Sequence, residues 1–141
     1  MRTQRTLAAA FAGLVLTLAA CGAAASPTPS GGTTVTATLT EYAIELSAAT
    51  AAPGSVTFTV TNAGTMVHEF VIFKTEVLAA DLPITDNLVT EADYTVVDEV
   101  EDVEPGKSIP LTVTLEAGHY ALLCNVVGHP GQGMVVDFSV K

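Results

Sequence analysis

Two stretches of strict apolar–polar alternation constrain this chain more than any other feature. Val56, Phe58 and Val60 alternate with Ser55, Thr57, Thr59 and Thr61, and Ile109, Leu111, Val113 and Leu115 alternate with Pro110, Thr112 and Thr114. A period of two places every apolar side chain on one face, so each stretch predicts a β-strand with one buried side. Further strands are expected at Val35 to Leu39, Tyr42 to Leu46, Phe70 to Phe73, Tyr120 to Cys124 and Met134 to Val140, with turns at Pro53-Gly54, Gly64, Pro105-Gly106 and Gly118. About seven short strands separated by turn residues read as an all-β sandwich. The exception is Thr75 to Glu104, which carries 10 of the 15 acids and shows no clean period. This insertion is expected to be irregular, with a short helix near Leu78 to Leu82.

The N-terminus is built differently. Arg2 and Arg5 precede an uncharged, largely apolar run from Leu7 to Ala20. Fourteen residues are too few to span a bilayer as a helix, which takes about 20, but they suit the core of an export signal behind a basic start. Residues 1–20 are therefore expected to be a signal peptide. The run closes on Leu18-Ala19-Ala20-Cys21, which resembles the bacterial lipobox, where Cys21 would be acylated and become the mature N-terminus. Ordinary cleavage after a small residue, leaving Cys21 a free thiol, is the alternative. From Gly22 to Thr34 the chain is Ala, Ser, Pro, Thr and Gly with no large apolar residue, so 21–34 is expected to be a lipidated Cys and a flexible tether, with the folded domain at 35–141.

Charge limits the partners. The formal net charge is −10, and removal of residues 1–20 leaves 3 Lys against 15 acids, or −12. Such a surface repels phosphate backbones and excludes general nucleic-acid binding. With 49% hydrophobic and 14% charged residues, the chain can bury a core of its own, and a monomer is expected.

Chemistry converges on two stretches of the chain. His68 follows the turn Asn62-Ala63-Gly64 at the expected start of a strand, and Cys124, His129 and Met134 follow in the pattern C-x4-H-x4-M. Singly, each would read as ordinary core or turn material. Cys124, however, belongs to an exported chain in which unpaired thiols oxidise, and its one candidate partner, Cys21, is outside the fold or acylated. Coordination to a metal gives a reason to keep it. Thiolate and thioether sulfur are soft donors, and a His2Cys set with a weak axial Met is a blue-copper electron-transfer arrangement, whereas zinc rarely takes Met.

At these residues the chain resembles the cupredoxin family of small blue copper proteins, over residues 35–141, or 107 of 141. The resemblance implies a Greek-key β-sandwich and one type 1 copper held by His68, Cys124, His129 and Met134. The sequence departs from the family in two places: Glu69 follows the upstream His where Asn or Ser is frequent, and Asn125 follows the Cys where Thr or Ser is frequent. Glu69 would lower the reduction potential if it faced the metal. His119 is expected to be an exposed turn residue, and Met66 to cap the apolar end of the sandwich.

The expected function is a membrane-tethered one-electron carrier between extracytoplasmic redox proteins, lipid-anchored on the outer face of a membrane. Three His, two already used as ligands, leave no second centre for an enzyme. The alternative is a copper-binding or copper-delivery lipoprotein in which the metal is cargo, although such sites are open and rich in Met or His. In cupredoxins the loop His reaches the surface through an apolar face. His129 is accordingly expected to be the ligand nearest the partner, behind an uncharged docking patch of Val126, Val127, Gly128, Pro130, Gly131 and Gly133, while the acids of the insertion steer a basic partner from a distance.

Overall fold

A computed structural model describes residues 31–141. The expected signal peptide, Cys21 and most of the tether lie outside the described residues. In chain order the strands are β1 (Thr33–Thr40), β2 (Ala43–Leu46), β3 (Thr50–Ala51), β4 (Gly54–Asn62), β5 (His68–Lys74), β6 (Ile84–Thr85), β7 (Leu88–Val89), β8 (Thr95–Val103), β9 (Ser108–Leu115), β10 (Gly118–Leu123) and β11 (Val135–Val140), with short 3₁₀ turns at Ala79–Asp81, Glu91–Asp93 and Pro130–Gln132.

Alternation becomes two facing sheets. One has the order β2-β1-β4-β9, the other β3-β11-β10-β5-β8, and β6 and β7 form a separate small ladder. Neighbours are antiparallel except for β1 with β4 and β3 with β11. Val56, Phe58 and Val60 of β4 are fully buried, and so are Phe70 and Ile72 of β5 and Leu122 of β10, which face them from the other sheet. Phe58 bridges the sheets, its ring centroid 5.4 Å from that of Phe70 and 5.3 Å from that of Phe138. On the exposed faces, Thr57 pairs with Thr112 and Thr61 with Ser108 through hydroxyl hydrogen bonds of 2.9 Å.

Several boundaries differ from the sequence expectation. Strand β1 begins at Thr33, because Thr33 and Thr34 pair with Val56 and Thr57. Tyr42 belongs to the two-residue turn before β2, while Cys124 and Met134 lie one residue beyond the ladder that joins β10 to β11. The helix expected near Leu78 to Leu82 is a single 3₁₀ turn.

The acidic stretch holds more order than its composition suggests. It contains the nine-residue strand β8, which pairs with β5 at the sheet edge across two register shifts. Its first part folds over the outer face of the second sheet. There Ala79, Leu82 and Val89 pack on Val71, Phe73, Ala121 and Leu123, and Tyr94 stacks on Phe73 at 5.0 Å. His119 fastens this cover, so it is a half-buried residue of β10 rather than an exposed turn residue. Its Nδ1 lies 2.6 Å from the Thr75 carbonyl oxygen and its Nε2 2.9 Å from Asp137 Oδ1.

Candidate metal centre

Sheet ends and one loop build the site. The turn before β5 is set by Asn62, fully buried at the end of β4. Its side-chain amide donates to the carbonyls of Met66 and Val103, each at 2.7 Å, and its Oδ1 accepts the Gly64 amide at 2.9 Å. This knot delivers His68 to the first position of β5 with its side chain inward. Met66 itself is exposed, contributing backbone groups to the turn.

The other residues come from the connection between β10 and β11. The amide of Cys124 donates to the Met134 carbonyl at 3.0 Å, and the amide of Met134 donates to the His129 carbonyl at 3.2 Å. Gly128 and Gly133 take the left-handed values of 88° and 112° that let the chain turn so tightly. Asn125 braces the loop from outside. Its Oδ1 accepts from the Val89 amide at 3.0 Å, while its Nδ2 donates to the Val89 carbonyl at 3.0 Å and to Glu91 at 2.8 Å. Its side chain therefore turns to the insertion, and the sulfur of Cys124 receives the Glu69 amide instead, at 3.3 Å.

Three donor atoms converge. His68 Nδ1 and His129 Nδ1 are 3.2 Å apart, and Cys124 Sγ lies 3.3 Å from His129 Nδ1 and 3.7 Å from His68 Nδ1. The point in their plane equidistant from all three lies about 2.0 Å from each, a metal–nitrogen bond length and slightly short of the roughly 2.3 Å of a metal–sulfur bond. Met134, fully buried, stands at the end of the same loop.

The electrostatics suit a cation. Burial depresses the basicity of both imidazoles, and for His68 the neighbouring His129 adds to it, which favours the neutral ring with a free lone pair. Burial also pushes the Cys124 thiol up, against the amides of Glu69 and Val126. A buried thiolate between two neutral imidazoles needs a positive charge, and a soft or borderline metal supplies it. Glu69 alternates with the inward His68 and Phe70 along β5 and so lies on the other face, although its carboxylate still adds to the upward push on the Cys124 thiol. Its carboxyl is raised by burial and then by Glu91, Glu101, Glu99 and Asp102, the acids of the outer surface.

The expected docking patch is only partly exposed. Val127 is 66% exposed and Gly131 and Gly133 are open, but Val126 and Gly128 are half-buried and Pro130 is buried. His129 does not reach the surface as expected, being only 2% exposed. The reason is Tyr42, whose ring meets the His129 ring edge-on, with centroids 6.0 Å apart. Sequence reasoning missed this cover, and it missed Glu41 beside it. Oε1 of Glu41 accepts the amides of Thr65 at 2.6 Å and Met66 at 2.9 Å. Those two bonds hold its carboxyl down at about 2.

An all-β sandwich with a buried His, Cys, His and Met cluster at one end defines a class of metalloprotein. Solved structures name the class. An auracyanin from the photosynthetic bacterium Roseiflexus castenholzii is 25% identical, with a TM-score of 0.60 over 78% of this chain and 98% of that one. Auracyanin A from Chloroflexus aurantiacus, described as a blue copper protein, is 20% identical with a TM-score of 0.58, covering 79% of this chain and all of that one. Rusticyanin from Thiobacillus ferrooxidans is 21% identical with a TM-score of 0.54, over 78% of this chain and 79% of that one. No family model matches the sequence, and no curated protein matches it. The fold is the cupredoxin Greek-key sandwich, and the residues at its end fit one type 1 copper.

Proposed function

We propose that this protein is a membrane-tethered one-electron carrier that docks on redox proteins outside the cytoplasm. The observation that carries the reading is the set of three soft or borderline donor atoms, two Nδ1 and one Sγ, held within 3.7 Å of one another on buried residues. Copper bound there would exchange between Cu(II) and Cu(I). The chain contributes rigidity: His68 is fixed by the Asn62 knot, and the loop bearing the other ligands is hydrogen bonded at both ends and braced by Asn125. A frame that cannot relax around either oxidation state keeps the reorganisation cost of each transfer low. Burial of all four residues also leaves no room for a substrate, which favours a carrier over an enzyme.

Delivery of copper as cargo is the second reading, and the buried donors count against it, because exchange with another protein requires ligands that can be reached. The two separate experimentally. A copper-loaded carrier gives a reversible one-electron voltammogram with one copper per chain and keeps its metal for hours against a chelator. An irreversible wave and loss of copper within minutes would favour cargo. Tethering is tested by Cys21→Ala, which should release the protein from membranes; a variant still processed and acylated would overturn the anchor. Docking through the exposed part of the patch is tested by Val127→Asp, which should slow electron transfer at all ionic strengths while leaving the spectrum unchanged.

A further inference from the structure

His68 turns Nδ1 toward Cys124 and His129. A neutral imidazole that gives one nitrogen to a metal carries its hydrogen on the other, so Nε2 of His68 has a proton to donate. That atom is buried and has no hydrogen-bond partner among the described residues. Facing it at 3.8 Å is Oε1 of Glu41.

The carboxylate is held in place by several bonds. The same oxygen accepts the Thr65 and Met66 amides and, at 3.3 Å, the Thr65 hydroxyl. It lies so close under the turn that a Cβ added at Gly64 would come within 2.6 Å of it. The backbone that presents it is also unusual. Glu41 and Tyr42 form the two-residue turn between β1 and β2, and Tyr42 adopts φ 70°, a left-handed value that bulky side chains rarely take and that persists only where the surroundings fix it. One turn thus places a carboxylate beside one ligand histidine and an aromatic ring beside the other.

The geometry points to Glu41 as the acceptor of the His68 Nε2–H in the metal-loaded protein, a positioning residue that sets how strongly the site prefers Cu(II) to Cu(I). Closing 3.8 Å to a hydrogen bond takes a shift of about 0.8 Å. A carboxylate on the far nitrogen fixes the ring, fixes its tautomer and makes Nδ1 a stronger donor, as second-sphere carboxylates do at metal-bound histidines. Its negative charge favours the more positive oxidation state and lowers the reduction potential. This inference rests on the copper reading above.

The discriminating variant is Glu41→Gln in the full chain. Gln keeps an oxygen that accepts the Thr65 and Met66 amides, so the turn is preserved while the charge and the strong acceptor are lost. Cu(II) affinity, measured by competition titration, should fall about 10- to 100-fold. Cu(I) affinity should fall less, so the potential should rise, while the metal-free protein should stay folded with a lower thermal midpoint, because a neutral Gln oxygen accepts the two amides less strongly than the carboxylate does. Glu45→Gln, which removes an exposed acid from the adjoining strand, should leave affinity and potential unchanged. If wild type binds Cu(II) with an intense visible band and Glu41→Gln matches it in affinity and potential, Glu41 is only a staple for the turn and the inference fails. If wild type itself gives no such band, the copper reading fails and the inference with it.

Discussion

The amide of Cys124 donates to the carbonyl of Met134 at 3.0 Å, tying together the first and last residues of the ligand loop. Because this closure is a backbone bond, the loop does not depend on the Met134 side chain. Met134→Leu should therefore keep the fold and the metal, at a stability cost below about 1.5 kcal/mol for a volume-conserving change. Its potential should rise, since a weak thioether donor stabilises Cu(II) more than Cu(I). Voltammetry checks this, and an unchanged potential would reduce Met134 to packing.

Tyr42 is the cover on His129, held in a left-handed conformation at φ 70°. Replacing it with a small residue removes the cover, but only Gly takes that backbone without strain. Tyr42→Gly should be more stable than Tyr42→Ala by about 1 kcal/mol in denaturant unfolding of the metal-free protein. Both variants should let small external anions perturb the visible spectrum of the copper protein, a change expected to be absent in wild type.

Phe58 carries the packing between the sheets, against Phe70 and Phe138. Phe58→Ala should cost about 3–5 kcal/mol in chemical unfolding. The fraction that remains folded should bind metal as wild type does, because the donors stand at the end of the sandwich, on other residues.

What was legible in the sequence follows from this packing. Phe58 and Leu111 lie on strands with one buried face, and there alternation is a direct record of burial. Strand β8 was not legible, because it is a sheet edge: of its nine residues only Val103 is fully buried, and the charges along it are what an edge needs to avoid pairing with another chain. His68, Cys124, His129 and Met134 were recognisable by ligand type, since a free thiol and a spaced His and Met are informative without any contact map. Glu41 and Tyr42 carry no such mark. They act through a turn that lacks the usual Gly, Asn or Asp, on a site formed by residues far along the chain. The same omission explains the wrong expectation for His129, whose uncharged neighbours suggested exposure although the covering ring comes from the other sheet.

The acidic edge should weaken the fold at neutral pH. Glu99 has its carboxyl raised from 4.5, first by burial and then by Glu91, Glu101 and Asp98. A raised carboxyl binds its proton more tightly in the folded state, so its favourable contribution is present at pH below 4.5 and is lost as pH rises through the folded value. Glu99→Gln should consequently raise the thermal midpoint of the metal-free protein at pH 7. The difference from wild type should shrink as pH falls toward 4, and a variant less stable than wild type at pH 7 would contradict the account.

The central claim is that Cys124 offers a thiolate to copper between His68 and His129. Titration of the full-length protein with Cu(II), followed by visible absorption, tests it most directly. Wild type should develop an intense charge-transfer band that saturates at one copper per chain, and Cys124→Ser, with a harder oxygen donor in the same place, should fold without it. A colourless wild type, or a Cys124→Ser protein that keeps the band, would contradict the claim.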